Sequence, residues 1–415
     1  MNPQNIIFLL LCLQQAAISF NVGAIAAVIP TIASDLATPA VITGKIIAYY
    51  MIPYGVSALF YAPLAKNISP RILMGVTMFL FALTNIACAL VENIHHFFLF
   101  RVIMGIVSAG VVPLGLILIG KIFEKEIRGR MVGFFFSCSF MASIAGITLS
   151  GFANWRWLFF IPAAMAVINS VLILLFTDFF LSNIQLRNSL KKDSCLKEKV
   201  VLPSSMKIAK EKASKTPLWG RLKGQVDYLS IFREPQTRNI FIFITLISTL
   251  YHGVDRWLGV YMDQVYHLKQ LTISLLFGLM ACSSAVGQNV GGWISDKRGR
   301  LISCRVGILI LSAGTMILSI KFNVAVLAVL LIFLSVGWTV GHNGASTVLT
   351  DFPDERRAEI ASLNSALRFT GGGIGFTISG LFVEKSFSLT FLAIGFLILI
   401  LSLFVKKVIP ETLRT

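Results

Sequence analysis

The sequence predicts an all-α membrane protein whose chain crosses the bilayer twelve times, in two pseudo-symmetric bundles of six helices. Of its 415 residues, 56% are hydrophobic and 13% are charged, and the mean hydropathy is +0.81. Soluble domains carry about 25% charged residues. Apolar runs close to the roughly 20 residues that a spanning helix needs recur along the chain. A Lys-rich polar segment divides these runs into six and six.

The apolar runs are interpreted as helices because they are too long and too uniformly apolar for barrel strands, which alternate over about ten residues. No basic residue precedes the first run, so we expect it to stay in the membrane rather than to be cleaved as a signal peptide. The predicted spans cover residues 6–29, 44–65, 71–91, 97–120, 131–152, 157–178, 239–260, 271–294, 302–320, 324–349, 359–383 and 388–406.

The polar segment at 182–237 marks the domain boundary. We expect an N-terminal six-helix bundle over 1–181, a basic cytoplasmic linker over 182–237 and a C-terminal six-helix bundle over 238–415. The linker is either a solvated tether or a segment with short helices that lie along the anionic inner leaflet.

The distribution of basic residues predicts the orientation. The net charge is +17, which in a soluble chain would suggest nucleic-acid binding. Here, with the N-terminus placed inside, 28 Lys and Arg residues fall on the inner side and five on the outer side. This bias follows the positive-inside rule, so both termini are expected in the cytoplasm.

An internal repeat relates the two halves at a shift of 229 positions. The shift places RGRMVGFFFSCSFMASIAGITLSGF over RAEIASLNSALRFTGGGIGFTISGL, which makes the fifth and eleventh spans equivalent. Gly146 matches Gly375, and Ser150 matches Ser379. Internal symmetry of this kind is typical of secondary transporters.

The stretch GGWISDKRGR places a charged turn between the eighth and ninth apolar runs. Gly292 would allow two helices to approach closely, and Gly299 would permit a sharp turn. Asp296 can face a helix N-terminus or a basic partner. With Lys297 and Arg300 it forms a charged cluster at the lipid edge, which can pair in one conformation and separate in another.

Six plus six spans, a basic central segment and this motif resemble the major facilitator superfamily. In that family the motif follows the second helix of each half and holds the cytoplasmic side closed while the cavity opens outward. The resemblance therefore implies that Gly292, Asp296, Lys297, Gly299 and Arg300 form a conformational latch.

The first-half copy of the motif, APLAKNISPR, is degenerate. Ala62 replaces the glycine, Lys66 replaces the aspartate, and Ser69-Pro70 replaces Gly-Arg. We therefore expect the inner closure to depend mainly on the second half. Further resemblances to the family are FRVIMGIVSAG in span 4 and NWRWLFFI before span 6. Proton-driven antiporters usually carry a Gly-Pro pair on span 5, and SIAGITLSG has no proline there.

The resemblance also implies that spans 1, 4, 7 and 10 line a central cavity. Polar side chains within a membrane are costly and usually face the bundle interior, and here they concentrate in those spans. The candidate residues of a substrate and proton pathway are Gln15, Asn21, Arg101, His252, Asp255, Arg256, His342, Asn343 and, in span 11, Arg368.

Span 7 is the most informative. His252 shares a helix face with Asp255 and Arg256, because three- and four-residue spacings bring side chains together. Asp255 is the one acidic residue that falls clearly inside a predicted span, so it is a candidate proton carrier beside His252 and His342. The alternative is that Asp255 and Arg256 form an interfacial ion pair at the outer end of the span.

Three arginines against one aspartate give the spans a positive balance. Arginine binds carboxylates and phosphates with two hydrogen bonds, which suggests an anionic or zwitterionic substrate. Alternatively, Arg101 and Arg368 have the structural or coupling roles that the resemblance implies, which leaves Arg256. The aromatic residues Tyr49, Tyr50, Trp257, Tyr261 and Trp338 either line a cavity or belong to the core and the interfacial belt.

Several function classes are excluded. The chain has no nucleophile–base constellation, no Walker motif and no metal-ligand spacing, so we expect no enzyme activity, no cofactor and no nucleic-acid partner. Gly371-Gly372-Gly373 is interpreted as helix packing rather than a phosphate loop.

We expect a monomeric secondary transporter that moves a small organic solute, anionic or amphipathic, by alternating access. Proton-coupled efflux is the first expectation. Proton-coupled uptake of an organic anion or another nutrient, and a non-transporting sensor, are the alternatives. The expected partners are the solute, protons and the lipid bilayer, and the expected location is the bacterial inner membrane.

Overall fold

The protein folds into twelve long helices within residues 3–175, 228–347 and 357–409, which are the residues that this computed structural model describes. The helices are α1 (Pro3–Asp35), α2 (Ala40–Gly44, continued by Ala48–Asn67), α3 (Pro70–Ala89), α4 (Ile94–Ser108, continued by Val111–Ile122), α5 (Lys125–Ser150), α6 (Trp157–Leu175), α7 (Pro235–Asp255, continued by Leu258–Tyr266), α8 (Gln270–Arg298), α9 (Arg300–Ile317), α10 (Val324–Thr347), α11 (Arg357–Val383) and α12 (Phe387–Leu403).

Ten of these helices are long and apolar enough to cross a membrane. The other two are α12, which has 17 residues, and α7, whose centre carries charged residues. The largest difference from the predicted spans concerns α7, predicted over 239–260 and observed over 235–266. A short helix, Tyr228–Arg233, precedes α7 inside the segment expected to be a linker, and residues 182–227 of that segment lie outside the described residues.

The helices run back and forth between two faces, which we name after one residue each. At the Asp35 face, Arg156 pairs with Asp35 and donates to the carbonyl of Val91 over 3.3 Å. At the same face, Lys321 donates to the carbonyl of Val265. The Gly299 face is the opposite one, which contains the turn between α8 and α9 and the start of α1.

The two halves repeat the same helix crossing. In the first half, α5 crosses α1 so closely that a Cβ at Gly146 would collide with the carbonyl oxygen of Phe20. In the second half, α11 crosses α7, and a Cβ at Gly375 would collide with the carbonyl oxygen of Thr249. Both residues of the second contact lie 229 positions after those of the first, which is the shift of the sequence repeat.

The halves join along α2 with α11 and along α5 with α8. A hydrogen-bonded set that we call the Gln270 network crosses this boundary at the Asp35 face. Thr31 donates to the Gln270 Oε1 over 2.7 Å, and the Gln270 Nε2 donates to Ser274 over 3.1 Å. Ser274 and Ser150 of α5 are 2.8 Å apart. The network therefore ties α1 and α5 of the first half to α8 of the second.

Candidate functional site

The candidate site is built around a break in α7. The helix is interrupted at Arg256 and Trp257 and then continues to Tyr266, eleven residues beyond Asp255. At 1.5 Å per residue this remaining segment is about 16 Å long. Asp255 therefore lies well inside the bundle and not at the end of α7. This position differs from the one that an interfacial ion pair would have.

Trp257 holds the break against α11. Its indole nitrogen donates to the hydroxyl of Ser379 over 3.0 Å and to the carbonyl of Phe376 over 3.2 Å. Its ring stacks on Phe376 with centroids 4.3 Å apart. Because Trp257 is 1% exposed, it is a packing residue and not a cavity wall.

Three side chains converge on the carboxylate of Asp255. Arg256 places its Nε 3.3 Å from the Asp255 Oδ2, and His252 places its Nδ1 3.8 Å from the same oxygen. Tyr251 donates its hydroxyl to the Asp255 Oδ1 over 3.1 Å. These groups bury a negative charge, and Arg256 supplies the permanent positive charge that partners it. The predicted grouping of His252, Asp255 and Arg256 is therefore present as one contact cluster.

The cluster reaches across to the first half. The Arg256 guanidinium donates to the carbonyl of Val22 in α1 over 3.4 Å. His252 packs between α11 and α2, since a Cβ at Gly372 would collide with the His252 ring and with Met51. Movement of one half against the other would change both contacts.

Aromatic rings from α10 pack against one side of the Asp255, His252 and Tyr251 cluster. Trp338 stacks on Tyr251 with centroids 4.0 Å apart and planes 2° apart. His252 lies 5.7 Å from the Trp338 ring, and His342 lies 5.1 Å from it. His342 therefore belongs to the same group of rings. The backbone of Asn343 continues α10, and its side chain is outside the described set.

Arg368 of α11 faces this cluster without a counter-ion. Within the described part of the chain, its guanidinium makes no ion pair, and its buried Nε has no hydrogen-bond acceptor. The groups near enough to interact with it electrostatically include Tyr54, Tyr251, Arg256, His252 and His342, and none of these is acidic at neutral pH. Tyr54 comes from α2 and packs on Phe369, with centroids 4.1 Å apart.

Arg101 of α4 is partnered within the first half. Its Nε donates to the carbonyl of Ile46 over 3.1 Å, and its NH1 lies 3.4 Å from the Met104 sulfur. The guanidinium also lies over the Tyr50 ring, 4.5 Å from the centroid. The side chain is 1% exposed, so a solute in the cavity would not reach it.

The two polar residues predicted on α1 have neutral partners. The Asn21 Nδ2 donates to Asn85 of α3 over 3.1 Å, and the Gln15 Nε2 lies 3.5 Å from the Ser19 hydroxyl. Each keeps one buried side-chain oxygen without a donor in the described residues. Neither touches the Asp255 cluster in the contacts that the structure gives.

The charged motif lies at the Gly299 face, away from the cluster. Gly299 has a φ of 86°, a left-handed conformation that glycine adopts without strain and that separates α8 from α9. Asp296 and Lys297 are exposed, and the Lys297 ammonium lies over the Trp293 ring. Asp296 forms no ion pair within the described ranges. The first-half counterpart turns at Ile68, which has an extended backbone.

Of the other aromatic candidates, Tyr50 and Tyr261 are buried in the helix core and Tyr49 is exposed. Tyr54, Met51 and the carbonyl of Val22 could not be predicted from the sequence, because nothing in their own segments distinguishes them from packing residues. In the described residues, no group of three or more His, Cys, Asp or Glu side chains could hold a metal ion.

The chain is similar to known proteins in sequence and in fold. A sequence profile of the Major Facilitator Superfamily matches residues 11–375. The probable L-galactonate transporter of Escherichia coli (strain K12) is 23% identical over 274 residues, which are 64% of this chain and 56% of the relative. The multidrug export protein EmrB of Haemophilus influenzae is 30% identical over 146 residues, 34% of this chain and 29% of the relative. The chain thus covers little more than half of the first relative and less than a third of the second.

Among solved structures, a bacterial homolog of the human lysosomal transporter Spinster, in an inward-facing and unoccupied conformation, superposes with a TM-score of 0.72. The likeness covers 98% of this chain and 97% of that one at 14% identity, so it shows the fold. The predicted arrangement of twelve helices in two bundles is confirmed.

Proposed function

The chain belongs to the Major Facilitator Superfamily, and we propose that it is a secondary transporter of small organic anions that couples their movement to protons by alternating access. The observation that carries the anion is Arg368, a guanidinium at membrane depth with no counter-ion in the described structure. The Arg101 guanidinium already has a hydrogen-bond acceptor and an aromatic ring as partners within its own half, so we do not place the anion there.

The charge balance of the cluster supports an anionic substrate. Asp255 already neutralises Arg256, so Arg368 leaves one positive charge uncompensated. A charge buried without a partner is costly, and the cost is relieved by a ligand of opposite sign. A carboxylate or phosphate accepts two hydrogen bonds from one guanidinium. We therefore place the anionic group of the substrate at Arg368, beside the Tyr54 and Tyr251 rings.

Proton coupling is proposed at Asp255 and His252. The two groups are 3.8 Å apart and share a buried site, so a proton on either changes the charge that the other feels. A proton bound here would weaken the pairing of Arg256 with Asp255. Because Arg256 also reaches Val22 in the other half, this change would alter the contact between the halves.

The direction of transport has two candidates. Export, the first expectation from the sequence, is supported by the relative named as a multidrug export protein. Uptake of an organic anion is supported by Arg368 together with the relative named as a probable L-galactonate transporter. We keep both, since each is compatible with an anion site.

We further propose that the Gly299 face is cytoplasmic, in a bacterial inner membrane, and that the protein works as a monomer. The excess of basic residues on that side supports the orientation. Asp296 is exposed and has no ion pair within the described residues, as expected when the latch is released. The Gln270 network is intact, as expected when the Asp35 face is closed.

The test is transport in proteoliposomes that contain a pH-sensitive dye. We would add a panel of sugar acids, phosphate monoesters, organic cations and neutral solutes, each with and without a pH gradient. We predict that only the anionic solutes cause proton movement, whether protons move in the same direction as the anion or in the opposite one. Selective proton movement with cations or neutral solutes would overturn the anion assignment, and anion flux without proton movement would overturn the coupling.

A further inference from the structure

A crevice of about 440 Å³ opens between α7, α11 and α12 on the outside of the second half. Its rim consists of exposed apolar side chains, namely Ile378, Phe382, Leu389 and Leu397. These residues lie within the spanning helices, so the crevice faces the hydrocarbon of the bilayer and not the central cavity. It lies behind the Asp255 cluster, on the other side of α7.

The chemistry of the lining excludes a polar solute. Its hydroxyl groups are already used within their own helices. Thr249 donates to the Thr245 carbonyl over 2.8 Å, and Thr390 donates to the Ser386 carbonyl over 2.7 Å. Ser379 donates to the Phe376 carbonyl and accepts from Trp257. A ligand entering the crevice would therefore meet mainly hydrocarbon side chains, and the hydroxyl donors of Thr249, Ser379 and Thr390 are already used.

The crevice is as large as pockets that hold small molecules. Protein interiors contain few voids larger than a water molecule, and pockets that hold small molecules have volumes of about 300–1,000 Å³. A crevice left empty would lose the dispersion contacts of its walls. Since its open side faces lipid, the hydrocarbon available to fill it is an acyl chain.

Charge at the mouth indicates which lipid. Lys385 lines the opening at the Asp35 face, where the turn between α11 and α12 reaches headgroup level. Its ammonium is exposed and has no ion pair or hydrogen-bond acceptor in the ranges that the structure describes. Glu384 is exposed next to it but is not part of the lining. The amine is therefore available to a phosphate.

We infer that this crevice binds one acyl chain of an anionic glycerophospholipid, with the lipid phosphate at Lys385. Transfer of a chain from the bilayer into the crevice gains no hydrophobic energy, because both environments are apolar. Selectivity must therefore come from shape and from the headgroup charge. The inference is independent of the substrate and of the direction of transport.

The bound chain would support the contact between α7 and α11. The back wall contains Gly253 and Gly375, and a Cβ at Gly253 would lie 3.3 Å from the Gly375 carbonyl oxygen. Gly253 directly follows His252 in the sequence. A lipid in the crevice would therefore pack against the segment of α7 that carries the Asp255 cluster.

The experiment measures spin-labelled phosphatidylglycerol bound to the full chain in nanodiscs of phosphatidylcholine. We expect an immobilised lipid component in the wild type that is lost in Ala393→Phe, which fills the crevice from its exposed α12 wall. Lys385→Gln should weaken the phosphatidylglycerol preference about fivefold, since one lysine near an anionic surface contributes about 1 kcal/mol. Leu83→Phe, on the exposed surface of α3, is the control and should change neither.

Equal immobilised lipid in the wild type and in Ala393→Phe would overturn the site. An unchanged preference in Lys385→Gln, with immobilisation intact, would overturn the headgroup assignment. Mass photometry of the same nanodiscs gives a third outcome: a dimer that Ala393→Phe abolishes would mean that a second copy covers the crevice, which contradicts the inference.

Discussion

The same helix crossing occurs in both halves of the molecule, but its residues differ in chemistry. In the first half, Gly23 of α1 faces Ser143 of α5. At the equivalent position 229 residues later, His252 of α7 faces Gly372 of α11. In the first half the larger side chain of the pair is on α5, whereas in the second half it is on α7, and there it is an imidazole. The repeat therefore supplies a shared frame, and the second half has acquired a titratable group at the crossing.

Buried polar groups show the same asymmetry. In the first half, the Arg101 guanidinium contacts a backbone carbonyl, the Met104 sulfur and the Tyr50 ring. The buried side-chain atoms of α1 that lack a hydrogen-bond partner in the described residues belong to neutral amides. In the second half, Arg368 has no ion pair within the described residues, and its buried Nε has no hydrogen-bond acceptor there. Unsatisfied cations are far more costly than unsatisfied amides. We therefore propose that the ligand binds mainly to residues of the second half.

The largest effect should come from comparing Arg101, which is buried, with Arg368, which is partly exposed. Arg368→Gln should reduce anion affinity by about 1.5–3 kcal/mol, the value of hydrogen bonds to a charged group, which is roughly 10- to 140-fold. Arg101→Gln should instead lower the melting temperature and the yield while leaving the affinity of the folded fraction unchanged. Transport and thermal unfolding of both variants check this. Equal losses of affinity would remove the distinction between the halves.

Asp255→Asn should separate coupling from binding. The amide cannot carry the charge, so accumulation driven by a pH gradient should be lost while exchange of labelled for unlabelled anion persists. Removal of one partner of a buried pair also costs about 3–5 kcal/mol of stability, so membrane abundance must be measured in parallel. Tyr251→Phe, which removes one hydrogen bond to the same carboxylate, is the milder control. Persistent gradient-driven accumulation in Asp255→Asn would rule out this carboxylate as the proton site.

Gly372→Ala tests the crossing itself. The added methyl group would meet the His252 ring and Met51, and overpacking of this kind costs about 1–3 kcal/mol. We expect a lower melting temperature and slower transport. Gly133→Ala is the matched control, because a Cβ there has no neighbour within 4 Å. Equal behaviour of the two variants would mean that the close approach at Gly372 has no energetic importance.

Ser274→Ala tests the closure at the Asp35 face. It removes the Ser274 hydroxyl and with it the hydrogen bonds to Gln270 and Ser150. Each hydrogen bond contributes about 0.5–1.5 kcal/mol to stability. Spin labels on Leu90 and Val324, which are exposed at that face in different halves, should report a larger population of long distances. Ser137→Ala, whose hydroxyl bonds within its own helix, should leave the distances unchanged. An unaltered distribution in Ser274→Ala would show that the network does not hold the halves together.

Asp296→Asn should have the smallest effect, since exposed ion pairs contribute about 0.2–1 kcal/mol. We expect transport to slow by roughly 1.5- to 5-fold with normal membrane abundance. Lys66→Asn in the degenerate first-half copy should have no effect. If both substitutions slow transport equally, the two copies of the motif share the task that we assign to the second.

Twelve helices could be predicted from the sequence because runs of apolar residues and the repeat are properties of the chain itself. The grouping of His252, Asp255 and Arg256 was likewise predictable from helical spacing. The different roles of Arg101 and Arg368 were not. Both are arginines in apolar runs, and what separates them is whether a neighbouring helix presents an acceptor, as Ile46 does for Arg101. Such contacts depend on how the helices are rotated.

Binding of a matched pair of solutes is the most direct test of an anion site at Arg368. We would titrate the purified chain calorimetrically with an organic carboxylate that the transport panel identifies, and with its neutral amide. We predict that the carboxylate binds more tightly, that this preference disappears in Arg368→Gln, and that it persists in Arg101→Gln. Equal binding of the two solutes by the wild type, or a preference that survives in Arg368→Gln, would rule out the anion site at Arg368.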